Sequence, residues 1–94
     1  MNISIKQLQA FEAVARCSSF AEACSQLHLS QPALSIAIKN LEDTVGGKLL
    51  ERSTRNVGLT PEGAEFYPVV QRLLSDWDKS LDDVYNLFAL RRGK

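Results

Sequence analysis

The segment Ser30-Gln31-Pro32-Ala33-Leu34-Ser35-Ile36-Ala37-Ile38-Lys39 concentrates the side chains of this sequence best suited to recognition chemistry. Wound as a helix, it turns Leu34, Ile38, Leu41 and Val45 to one side and Pro32, Ile36, Lys39 and Asp43 to the other, with Gln31 and Ser35 on a flank. The outward set is non-covalent in character. A glutamine amide pairs bidentately with adenine, a serine hydroxyl reaches a base or a phosphate, and Pro32 and Ile36 are shaped to pack on thymine methyl groups. Catalytic chemistry finds no comparable set. The chain has a single histidine, His28, no glycine-rich phosphate loop, and no paired carboxylates with a nucleophile at recognisable spacing, so neither an enzyme nor a cofactor is expected. Cys17 and Cys24 lack a second pair of metal ligands and are expected as buried or half-buried free thiols.

Length and charge set the frame for these residues. A chain of 94 residues with 45% apolar side chains makes one small domain with a modest core. Eleven basic and eleven acidic residues cancel, so the general basic excess of many nucleic-acid binders is missing. The distribution is uneven: Lys48, Arg52 and Arg55 face only Glu51 between Thr44 and Thr60, while Asp76, Asp78, Asp82 and Asp83 crowd the C-terminal third. No stretch approaches the roughly 18 apolar residues of a membrane span and no signal-peptide pattern opens the chain. A soluble, cytoplasmic protein is expected.

The elements that position the segment are marked by serines. Ser4-Ile5-Lys6-Gln7 has capping-box spacing, with Ile3 and Leu8 set for a hydrophobic staple and Ile5, Leu8, Phe11 and Ala15 continuing a stripe, which predicts a first helix to about Cys17. Ser19-Phe20-Ala21-Glu22 repeats the signature for a short second helix carrying Phe20, Cys24 and Leu27. Ser30 caps a third helix, tolerant of Pro32 in its first turn, that Gly46-Gly47 ends after Val45. Short helices joined through a turn plugged by Leu29 predict a helix-turn-helix. Lys48–Glu51 and Val57–Leu59 read as a small β-hairpin, and Thr60-Pro61-Glu62 as the start of a long helix to about Leu90. Pro68 predicts a kink or local break in it. Phe66, Val70, Leu73, Trp77, Leu81, Val84 and Phe88 form an apolar stripe. A helix of about 30 residues is roughly 45 Å long, more than a short first helix covers, so a partner helix is expected from Trp77 to Phe88.

The ordered set Leu8, Phe11, Val14, Ala15, Ser19-Phe20, Ala21, Ala23, Leu27, Ser30 to Ser35, Ile38, Leu41-Glu42, Gly46, Leu49, Glu51-Arg52, Arg55, Val57, Leu59-Thr60, Glu62 and Gly63 resembles the N-terminal DNA-binding domain of LysR-type transcriptional regulators. The resemblance implies a mainly α fold: a winged helix-turn-helix over residues 1–60, a linker helix over 61–90, and the start of a hinge at 91–94. It implies a bacterial homodimer, or a tetramer in the full-length protein, with antiparallel linker helices on dyad-symmetric promoter DNA. A larger effector-binding domain would normally follow. Positions matching Gln31, Pro32, Ser35 and Ile36 approach bases in that family, and Arg55 matches a wing arginine that enters the minor groove. Ser30, Lys39, Lys48 and Arg52 are the phosphate-contact candidates, and Val70, Leu73, Trp77, Leu81, Val84 and Phe88 the dimer seam.

Other readings stand beside these. Gln31 and Ser35 also suit a solvated first turn, Ile36 could fold onto Pro32 or Asn40, Arg52 could brace the wing against Glu42 or Glu51, and His28 suits local packing. Ile36 departs from the long polar residue common at its position in the family. It cannot pair with guanine, so any specificity there comes from a methyl contact or from DNA shape. The competing function is a winged helix used for protein interaction, which the zero net charge keeps open.

Overall fold

Four serine and threonine hydroxyls fix where the helices begin. In the computed structural model, which describes residues 1–53 and 56–93, with backbone only at 92 and 93, the order is α1 (Ile5–Cys17), α2 (Phe20–Leu27), α3 (Gln31–Val45), β1 (Leu50–Arg52), β2 (Val57–Leu59) and α4 (Pro61–Gly93). Ser4 Oγ accepts from Gln7 N while Gln7 Oε1 accepts from Ser4 N, each at 3.1 Å, completing the capping box. Ser19 accepts from Glu22 N at 3.1 Å and Ser30 from Ala33 N at 3.2 Å. Each hydroxyl satisfies an N–H that the first helical turn leaves without a carbonyl.

The helix ends differ from one another. Ser18 and His28 adopt left-handed conformations, and the His28 and Leu29 N–H groups both donate to Cys24 O. These backbone bonds close the turn between α2 and α3, so Leu29, expected to plug it, is not needed there and is 40% exposed. Gly46, at φ 94°, ends α3, and the N–H groups of Gly46 and Gly47 both return to Glu42 O. That positive φ suits a residue without a Cβ.

The hairpin pairs Leu50 with Leu59, Glu51 with Gly58 and Arg52 with Val57 in antiparallel register. Its first strand starts two residues later than Lys48 because the backbone there is engaged elsewhere. Lys48 O accepts from Thr60 Oγ1 at 2.8 Å, Leu49 O accepts from Thr60 N at 3.1 Å, and Leu49 N donates to the Glu42 carboxylate at 2.8 Å. Thr60 Oγ1 also accepts from Gly63 N at 2.9 Å, which caps α4. The last helix then passes through Pro68 without the expected break and continues beyond Leu90 to Gly93. Proline removes one rung of the ladder, and the rungs on either side carry the helix across.

Leu8, Phe11 and Val14 from α1, Phe20 and Ala23 from α2, and Leu34, Ile38 and Leu41 from α3 build the core, closed by Leu49, Leu50 and Val70. Ile5 and Ala15, placed on the first helix's inner stripe by spacing, are only half-buried, and Ala10 and Ala13 complete that face instead. Phe11 meets Phe66 at 5.6 Å and Tyr67 at 6.2 Å between ring centroids, so the first turns of α4 belong to this core. Val70 is wholly buried there, which removes it from the expected dimer seam.

Gly63 passes so close to Leu49 that a Cβ would overlap the Leu49 carbonyl oxygen. Gly63→Ala must therefore push α4 from the hairpin and should cost about 1–3 kcal/mol, the usual range for overpacking. Urea unfolding checks this, and a midpoint equal to that of the unsubstituted chain would contradict it.

Candidate nucleic-acid interface

Helix α3 is amphipathic in the sense its spacing predicts. Leu34, Ile38 and Leu41 are 0–2% exposed, whereas Gln31, Pro32, Ala33, Ile36, Lys39, Asn40 and Asp43 are exposed and Ser35 is half-buried. The face is divided along its length. Its N-terminal half presents Gln31 and an apolar surface of Pro32, Ala33 and Ile36, and its C-terminal half presents Lys39, Asn40 and Asp43. Ser30 lies exposed at the N-terminal end. Its oxygen accepts the cap bond, which leaves the hydroxyl hydrogen for an outside acceptor.

Lys39, Lys48 and Arg52 each have a partner within the chain. Lys39 Nζ lies 3.4 Å from Asp43 Oδ2 and Lys48 Nζ lies 3.9 Å from Glu42 Oε1. Both ammonium groups are largely exposed, and such pairs contribute little to stability, so a phosphate oxygen can displace either carboxylate. Arg52 does not brace on Glu42 or Glu51. Its Cζ stands 4.0 Å above the Phe20 ring centroid, a cation–π contact that ties β1 to α2. Stacking occupies the guanidinium face and leaves N–H groups at its edge. A surface depression between α3 and the hairpin collects Ser35, Lys39, Glu42, Lys48, Glu51 and Arg52. Arg55, the expected minor-groove residue, lies outside the described residues.

Two positioning residues carry more than their spacing indicated. Glu42 Oε2 accepts from Leu49 N at 2.8 Å and Leu50 N at 3.2 Å, linking α3 to the hairpin. Thr60, expected only as a helix cap, also holds the Lys48 carbonyl. The available signal was a carboxylate one turn before Gly46-Gly47, where turning backbone N–H groups need acceptors. The shifted titrations lie elsewhere. A hydrogen bond to Glu12 and its charge raise the Arg16 pKa, and burial, with Glu12 nearby, pushes the Tyr67 phenol up.

On α4 the core ends near Leu74. Beyond it Trp77, Leu81, Val84 and Phe88 are 47–53% exposed, and Leu73, just before it, is 45% exposed. Tyr85, Leu87 and Leu90 add exposed apolar surface that the heptad-like stripe omitted. Among the described residues no His, Cys, Asp and Glu cluster could hold a metal, and no helix is long and apolar enough to cross a membrane. Both cysteines are free and half-buried.

Residues 5–64 match the family described as bacterial regulatory helix-turn-helix protein, lysR family. The chain is 48% identical over 67 residues to the RuBisCO operon transcriptional regulator of Allochromatium vinosum, covering 71% of this chain and 22% of that regulator. Among solved structures, the DNA-binding domain of BenM bound to benA site 1 DNA superposes with a TM-score of 0.84 at 39% identity, covering 90% of this chain and 96% of that one. DarR of Vibrio fischeri in complex with DNA gives a TM-score of 0.88 at 32% identity over 96% of this chain and 31% of that one. The chain spans less than a third of the length of the curated regulators that it matches.

Proposed function

The chain belongs to the lysR family of bacterial regulatory helix-turn-helix proteins, and on that premise we propose that it binds double-stranded DNA in a sequence-specific manner as part of a transcription regulator. The observation that carries this reading is the outward face of α3. The face is turned away from the core, with Ile36 exposed at its centre, and helix-turn-helix geometry directs the N-terminal half of such a helix to base edges in the major groove. Gln31 and Ser35 then read or align on bases, while Ser30, Lys39, Lys48 and the free edge of Arg52 hold phosphates and set the register. Arg55, by its match to the family's wing arginine, is assigned to the minor groove. Similarity to DNA-bound relatives supports the reading, and the greater length of DarR and of the curated regulators supports a DNA-binding unit within a longer cytoplasmic regulator.

A homodimer completes this function. The exposed stripe from Leu73 to Phe88 is too apolar to stay in water, and a second α4 laid antiparallel on it forms an isologous interface. Two recognition helices then face one side of a duplex, which matches dyad-symmetric promoter sites. The zero net charge supports a second reading, a protein-interaction module. Salt separates the two, since displacing phosphate counterions makes DNA affinity fall steeply as salt rises.

Gln31→Ala should lose roughly 1–3 kcal/mol of discrimination at one base step, whereas Lys39→Ala should weaken all sequences alike. Titration of cognate and scrambled duplexes measures both, and equal losses on the two duplexes for Gln31→Ala would remove base reading by that side chain. Leu81→Asp should give a monomer in sedimentation and a steep loss of operator affinity. A dimer of unchanged affinity would rule out this seam.

A further inference from the structure

We infer that the Ile36 surface recognises the C5-methyl group of a pyrimidine in the major groove, that of thymine in unmodified DNA; the inference rests on the DNA-binding reading above. Ile36 is 59% exposed at the centre of the outward face of α3, at the same helical position as Pro32 one turn earlier and beside Ala33, which are both exposed. It has no inward option. Leu34, Ile38 and Leu41 fill the core side of this helix at 0–2% exposure.

What such a surface can read follows from chemistry. The base edges in the major groove offer hydrogen-bond donors and acceptors at every pair, and the C5-methyl group is their one apolar feature. A sec-butyl side chain leaves any donor or acceptor that it covers without a partner, which is costly, but gains by covering a methyl group. The same exclusion acts against guanine O6 and N7. Lys39, one turn on, is exposed and engages the phosphate backbone in the reading above, so it supplies no donor to the base edge that Ile36 covers. Recognition of shape alone would act through phosphates or a narrow minor groove, which a side chain aimed at base edges does not touch. A β-branched side chain also holds essentially one χ1 rotamer in a helix, so little entropy is lost when it seats on the methyl.

The test uses the chain on a duplex recovered by selection. Each thymine in a half-site is replaced singly by deoxyuridine, which deletes the methyl and keeps the pairing edge, and each cytosine singly by 5-methylcytosine. A single deoxyuridine in one half-site should weaken binding about three- to fivefold, the worth of one buried methyl. Ile36→Ala should be indifferent to that substitution while still preferring the cognate to a scrambled duplex, and Ile36→Val should keep part of the sensitivity. A gain on 5-methylcytosine in place of a loss on deoxyuridine would identify the methyl source as modified cytosine. The inference is overturned if no methyl in the half-site affects the unsubstituted chain, or if Ile36→Ala retains the full effect. Absence of any cognate preference in the unsubstituted chain would instead overturn the DNA-reading function itself.

Discussion

The carboxylate of Glu42 is the joint on which the arrangement depends. It projects from the last turns of α3, has a side chain only 11% exposed, and accepts the backbone N–H groups of Leu49 and Leu50 where the chain leaves the helix for the hairpin. Hydrogen bonds to an ionised acceptor are about twice as strong as neutral ones, and these replace the water that a half-buried carboxylate gives up. Thr60 closes the other side of the same segment by holding the Lys48 and Leu49 carbonyls and capping α4. Gly63 permits the approach by having no Cβ. A few polar contacts thus fix the angle between the recognition helix, the wing and the long helix, which is the geometry a DNA reader must hold constant.

Hydrophobic burial divides the chain in a way that follows its function. The small core uses nearly all the inward surface of α1, α2 and α3 and takes Phe66, Tyr67, Val70 and Leu74 from α4. Past that point the helix extends away from the body, within an overall extent of 57 × 26 × 19 Å, and carries exposed Trp77, Leu81, Val84 and Phe88. Apolar patches of this kind mark interaction surfaces, and a second α4 is the occupant proposed for this one. In the proposed dimer the body orients one reading head, and the extended helix sets the distance and symmetry between two.

Much of this was legible in the residues. Capping serines at 4, 19 and 30 marked three helix starts, because the first-turn N–H groups need a local acceptor and a serine two or three residues upstream supplies it. Apolar spacing separated Leu34, Ile38 and Leu41 from Ile36, since helical periodicity alone decides which side of α3 meets the core. Contacts between distant residues were the part that spacing does not encode. Arg52 had two acidic candidates close in sequence, and tertiary packing gave it Phe20 instead. Val70 shares a stripe with Leu73 and Trp77, but where the chain's own core stops along that stripe depends on the reach of Phe11 in α1. The start of β1 moved because Glu42 and Thr60 claim the backbone at Lys48 and Leu49, again through contacts across the fold.

In the proposed function the face of α3 reads base sequence through a symmetric pair of chains. Selection of bound duplexes from a random pool by the purified protein at physiological salt tests it most directly. Enrichment of a dyad-symmetric motif with two equivalent half-sites is expected. A folded, dimeric protein that enriches no motif would contradict it.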